Sequence, residues 1–186
     1  MSVQIAKRYF NVSEYYRMAE AGILTADDRV ELIEGEIVQM SPIGSLHAAC
    51  VRRLNQLLQR LLGHAAVISV QDPVRLSDFS EPEPDVALLK PRADFYAHQH
   101  PTPDDVLLII EVADTTVLYD RNVKVPLYAR AGIPEVWLVD LQQDLIELYA
   151  RPAGGSYQVQ RQVRRGERLT AETIPQPTLD VDAVLG

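Results

Sequence analysis

The chain has a single cysteine, Cys50, in 186 residues, so no disulfide can form within it. It lacks any apolar run approaching the ~18 residues of a membrane helix, and nothing at its N-terminus resembles a secretory leader. These absences lead us to expect a cytoplasmic protein that does not enter a membrane. Net positive charge is also missing: the formal charge is -8 and the isoelectric point about 5.0. Nonspecific affinity for nucleic acid comes mostly from Lys and Arg neutralising phosphates, which argues against a protein whose main task is to coat DNA or RNA. An enzyme that meets nucleic acid through a local basic patch and a bound metal is still allowed. No Gly-rich phosphate loop or nucleophile elbow occurs, and there is no low-complexity tract, long linker or internal repeat.

Hydrophobic residues make up 47% of the chain, enough for a sizeable core, and the length suits one domain over residues 1–186. "NVSEYYRMAEAG" predicts a helix capped by Asn11 or Ser13 and stopped at Gly22. "RVELIEGEIVQMSP" reads as a hairpin about Glu34-Gly35. Apolar residues at helical spacing from Ser45 to Leu62, closed by Gly63, predict a long helix with Cys50 on its apolar stripe. Strands are expected at "AVISVQDPVRL", "PDVALLK", "DDVLLIIEVA" and "PEVWLVDL", with a loop over residues 91–103. Between the last two strands, "RNVKVPLYARAG" reads as a helix ending at Gly132, kinked or started near Pro126. "DLIELYAR" and "SYQVQRQV" form an antiparallel pair about "PAGG". The pattern is that of an α/β domain with a mixed central sheet, flanking helices and extra antiparallel β at both ends.

One carboxylate stands out. Glu111 follows five aliphatic residues, Val106 to Ile110, and precedes Val112. Strand alternation puts Leu107, Ile109 and Glu111 on one face. A buried ionised carboxylate needs a cation, a metal or a proton. Asp85 opens the preceding strand, and if the two strands are neighbours the two carboxylates converge. Such a pair suits Mg²⁺, which prefers few carboxylates plus water. The alternative is an ordinary ion pair of Glu111 with Arg121 or Lys124, and a simple turn role for Asp85 after proline.

The blocks "ELIEGEIVQMSP", "EPDVALL", "LIIEVAD" and "DRNVKVPLYARAGIPEVWLVD", in this order, resemble the Uma family of putative restriction endonucleases, within the PD-(D/E)XK nuclease superfamily. The resemblance runs from about Asn11 to Val163 and implies a restriction-endonuclease-like core. It makes Asp85 and Glu111 the acidic residues of the motif. Ala113 stands where the motif lysine would be, and the resemblance assigns that role to Lys124 on the following helix; Lys90 is the substitute. It further implies Mg²⁺, or Mn²⁺, held by Asp85 and Glu111, and an accessory role for Glu34, whose alternative is a plain hairpin-turn residue; His47, in the first turn of the long helix, is a second accessory candidate, with packing or capping as its alternative. The expected activity is hydrolysis of phosphodiester bonds in nucleic acid, with DNA the expected substrate and a homodimer the expected assembly. The rival reading is a catalytically silent module of the same fold, used for binding or assembly. His98 and His100 in "HQH" have metal-compatible spacing in a proline-flanked loop. The arginines of "RQVRRGER", residues 161–168, could meet a phosphate backbone or surround a solvated turn at Gly166.

Overall fold

The structure, a computed structural model, describes residues 6–25, 27–174 and 178–186. Helix α1 spans Val12–Glu20. Asn11 caps it by accepting the Glu14 N–H at 2.9 Å, and the Glu14 carboxylate returns a bond to the Asn11 N–H. This reciprocal box satisfies two otherwise orphaned donors. Strands β1 (Val30–Ile33) and β2 (Glu36–Gln39) follow as an antiparallel hairpin. Its turn residues, Glu34 at φ 48° and Gly35 at φ 82°, are both left-handed, as tight hairpins of matching twist require.

Gly35 has a second reason to be glycine. A Cβ there would lie 2.6 Å from the Tyr9 Cβ. We expect Gly35→Ala to lower stability by more than about 1 kcal/mol, since strain and overlap act together. Urea unfolding measures it, and a midpoint equal to that of the parent chain would refute the assignment.

Helix α2 covers Ser45–Leu62 as its periodicity predicts, and buries Cys50, Val51, Leu54, Leu58 and Leu62 along one face. After it come β3 (Val67–Ser69), β4 (Val86–Leu89) and β5 (Val106–Ala113). The strand predicted over "AVISVQDPVRL" is therefore much shorter. The chain leaves the extended region at Gln71, φ 56°, and Pro73 supplies no N–H for a continuing ladder.

The link from β5 to β6 is helical throughout: α3 (Val117–Tyr119), a π-helical turn over Asp120–Lys124, and α4 (Val125–Ala131). The wide turn has a local cause. Pro126 has no N–H to give to Asn122, and the Val125 N–H bonds the Asp120 carbonyl five residues back. Gly132, at φ 81°, ends α4.

Strands β6 (Glu135–Asp140), β7 (Leu145–Ala153) and β8 (Ser156–Arg164) complete a six-stranded sheet in the order β3-β4-β5-β6-β7-β8. Only β5 and β6 run parallel, consistent with the helical crossover between them. A small pair, β9 (Arg168–Thr170) and β10 (Thr178–Asp180), precedes α5 (Val181–Leu185).

Helices α2 and α5 cover one face of the sheet over Leu108, Ile110, Trp137 and Ile146. Helix α4 covers the other over Ile109, Ala113, Val136 and Leu138. Leu107 departs from the expected alternation. Leu88 pairs with Leu108 while Leu89 pairs with Val106, a bulge that turns Leu107 to the α2 face and leaves Ile109 on the α4 face. Beyond the bulge alternation is regular, so Glu111 lies on the α4 side with Ile109 and Ala113.

Candidate active site

Strand pairing brings the two acids together. Val86 sits opposite Ile110 in the antiparallel β4–β5 ladder, so one further step sets Asp85 beside Glu111. The Asp85 N–H points at Glu111 Oε2 across 3.4 Å. Asp85 Oδ2 accepts the Val112 N–H at 2.9 Å, and His47 Nε2 lies 3.0 Å from the same oxygen. Gln71 donates to Asp85 Oδ1 at 3.2 Å. Asp85 is thus fixed by β5, by the first turn of α2 and by the loop after β3.

Glu111 is only 3% exposed. Its Oε1 accepts from the Tyr128 hydroxyl at 2.6 Å and forms an ion pair with Lys124 Nζ at 3.3 Å. Lys124 Nζ also reaches Glu31 Oε2 at 3.0 Å, and Glu31 in turn accepts the Glu83 N–H at 3.2 Å. Burial pushes the Glu111 carboxyl up, the neighbouring Asp85 and Asp120 push the same way, and the Lys124 ammonium opposes them. Burial by itself would lower the Lys124 ammonium, but Glu111, Glu31 and Asp120 outweigh it and hold the charge on. Burial likewise raises Asp120, whose carboxylate takes the Thr116 hydroxyl at 2.7 Å. The hydrogen bond to Asp85 raises His47. This is a crowd of acids around one lysine.

These groups wall a cleft of about 440 Å³. One side is the β1–β2 hairpin with Arg29 and Glu31; the other runs from Glu111 through Asp114 to Lys124. His47 Nδ1 and the Tyr119 hydroxyl, both on cleft-lining residues, are buried without a hydrogen-bond partner among the described residues. Unmet polar atoms at a cleft wall suit a site completed by something that binds there.

The donor set can be tested against a divalent cation. Among the described residues Glu111 Oε2 has only the long Asp85 N–H contact, and Asp85 Oδ1 only Gln71, so each carboxylate keeps lone-pair capacity. Among the described residues no group of three or more His, Cys, Asp and Glu is placed to hold an ion. Two carboxylates beside open volume fit Mg²⁺ or Mn²⁺, which keep several waters, better than a closed structural zinc cage.

Asp85, Glu111, Lys124 and His47 therefore meet in one place, as the sequence leads one to expect. Glu34 does not. It occupies the hairpin turn, exposed, and pairs with Arg130 at 2.8 Å. The acid that reaches the cleft from this hairpin is Glu31, three residues earlier. Both faces of β1 are covered, with Leu32 and Ile33 buried as well, so alternation gave no signal to select it. Tyr128 could have been found, since it lies four residues after Lys124 and so on the same helix face.

Other candidates lie elsewhere. Lys90 follows β4 at the end remote from Asp85. Arg121 pairs with Glu147 and Asp140, leaving Glu111 to Lys124. His100 stacks against Tyr16 at 6.3 Å between ring centroids, and His98 is exposed. In the 161–168 segment, Arg161, Arg165 and Arg168 already pair with Glu172, Asp144, Asp182 and Asp180, which explains them as surface ion pairs around the Gly166 turn.

The fold is that of a nuclease-like α/β domain. It matches a crystal structure described as "a putative nuclease belonging to DUF820 from Anabaena variabilis ATCC 29413", with a TM-score of 0.69 and 15% identity over 95% of this chain and 97% of that one. The chain itself belongs to the Uma2 family, whose model, described as "Putative restriction endonuclease", matches residues 12–182. No curated protein matches it. No helix among the described residues is long and apolar enough to cross a membrane.

Proposed function

We propose that the chain is a metal-dependent endonuclease that hydrolyses phosphodiester bonds of nucleic acid, with DNA the preferred substrate. The observation that carries this reading is the convergence of Asp85, Glu111 and Lys124, from three separate elements, on one open cleft. Asp85 and Glu111 would hold Mg²⁺ or Mn²⁺, which when bound supplies a Lewis acid for the scissile phosphate and an acidified water. The chain's own residues do the rest. Val112 N–H, His47 and Gln71 fix the Asp85 carboxylate, so no reorganisation is needed when the substrate arrives. Tyr128 fixes Glu111 Oε1 and leaves Oε2 toward Asp85. Lys124, held charged by its acidic neighbours, stabilises negative charge as it builds on the phosphate oxygens. Its helical origin is no obstacle, because charge position decides the effect. A break in both strands of a duplex needs two clefts, so we expect a homodimer for that activity.

A specific observation favours a second reading. Lys124 already bridges Glu111 and Glu31 as a buried ion pair, which a catalytically silent binding or assembly module would also need. Incubation of the folded protein with supercoiled, linear and single-stranded DNA and with RNA, each with Mg²⁺, Mn²⁺ or chelator, separates the two. The nuclease reading expects cutting that the chelator abolishes. Intact substrates in every condition, with no heat of Mg²⁺ binding by calorimetry, would leave the silent module.

A further inference from the structure

The cleft presents a charge problem to any nucleic acid. Six carboxylates line it, Glu31, Glu83, Asp85, Glu111, Asp114 and Asp120, against two permanent cations, Arg29 and Lys124. Lys124 already bridges Glu31 and Glu111. Arg29 differs. Among the described residues its guanidinium has one partner, the Ser41 carbonyl at 3.1 Å, and no carboxylate. Of five N–H donors, four are left without a protein acceptor.

The backbone explains where these donors point. Arg29 directly precedes β1, and the Met40 N–H bonds its carbonyl at 2.8 Å, continuing the hairpin ladder by one pair beyond Val30 and Gln39. Residues two apart on a strand share a face, so Arg29 and Glu31 project into the same cleft. Arg29 stands nearer the mouth, partly exposed, whereas Glu31 is buried. Arg29 shares the cleft lining with His47, Glu83 and Asp85. An arginine that stays free of carboxylates in so acidic a cleft is placed for an anion from outside. The planar fork of a guanidinium matches two phosphate oxygens at once.

We propose that Arg29 binds a backbone phosphate of the substrate strand beside the one that is cut, and so sets the strand's position in the cleft. The position beside the cut rests on the nuclease reading, but the phosphate contact itself stands or falls separately. The bland role for Arg29 is to tether the 41–44 loop through Ser41.

Equilibrium binding of a fluorescent oligonucleotide to the full chain tests it, with Ca²⁺ held constant in place of Mg²⁺ and salt varied from about 50 to 200 mM. Loss of one phosphate contact makes the slope of log K against log salt shallower by about 0.9 on duplex or about 0.7 on single strand. Arg29→Gln is expected to show that change, and Arg29→Lys to keep the parent slope while binding more weakly. A folded Arg29→Gln protein with the parent slope overturns the proposal, even if its melting temperature falls, because a tether alone moves stability and not the slope. The parent chain offers a check that needs no variant. Neutral methylphosphonate at the phosphates flanking the cut should raise KM and leave kcat unchanged, and an unchanged KM at all of them also overturns the proposal. Arg29-dependent binding without any cutting would preserve the contact and remove the nuclease reading. No binding by the parent chain removes both.

Discussion

Asp85→Asn and Glu111→Gln are each expected to reduce metal-dependent cleavage by about 10³-fold, while the protein stays folded and at least as stable. The rate loss follows from the ligand count. If Asp85 and Glu111 hold the cation, removing one forfeits several kcal/mol of transition-state charge stabilisation, and about 4 kcal/mol corresponds to that factor. The stability expectation runs the other way, for a reason visible in the fold. Burial disfavours the Glu111 charge most, and Asp85 and Asp120 add repulsion; together these outweigh the attraction of Lys124, which keeps Glu31 as a partner when Glu111 is neutralised. Asn and Gln keep the shape, and their carbonyl oxygens can still accept from Val112 N–H and Tyr128. Initial rates, a urea midpoint and calorimetric Mg²⁺ titration of each variant supply the three readings. Parent-level cutting by either variant would remove both residues from the proposed role; a collapse of stability would make the pair structural.

Lys124→Met is expected to act on both rate and fold. Cleavage should fall by about 10² to 10³, the usual cost of losing one preorganised charge at a reacting centre. Stability without divalent cation should fall by about 3–5 kcal/mol, because Glu31 and Glu111 lose the cation they share while remaining buried. Added Mg²⁺ distinguishes the two readings of the cleft. If Asp85 and Glu111 hold the ion, saturation to about 100 times Kd returns about 2.7 kcal/mol of stability, yet leaves the rate low. In a silent module whose lysine serves only the ion pair, Mg²⁺ would not raise the melting temperature of the variant at all. Thermal melts with and without Mg²⁺, run beside the cleavage assay, decide it.

The parts of the site that were legible in the sequence are those fixed by local signals. Asp85 follows a proline and opens a short apolar strand, and Glu111 interrupts an aliphatic run, so each stood out against its neighbours. The helix carrying Lys124 is legible in "RNVKVPLYARAG", with Gly132 as its stop. What could not be read depended on how elements dock. Glu31 reaches Lys124 because β1 is drawn against the segment before β4, through the Leu32–Glu81 bridge and the Glu83 N–H. Gln71 meets Asp85 because β3 breaks off early at a left-handed residue, where a longer strand was expected. The "ELIEGE" block favours Glu34, but its backbone is committed to the turn. A bulge takes Leu107 off the face that simple alternation assigns it, and its extra residue leaves no mark in an all-aliphatic run.

The π-helical turn over Asp120–Lys124 has a meaning for how such a chain can change over time. A wide turn behaves as a one-residue insertion absorbed within a helix. Each residue of an ordinary helix advances about 100° around the axis, at 3.6 per turn. Deleting one residue here would restore a regular helix and swing everything upstream by that angle relative to α4, taking Asp120 and Thr116 away from the cleft while Tyr128 stayed in place. Insertions and deletions in this segment therefore alter which side chains share the site without disturbing the sheet beneath. A strand offers no such latitude, since a one-residue slip there reverses every face. A basic residue borne on this helix is free to be repositioned by length changes that the two strand-borne acids could not survive.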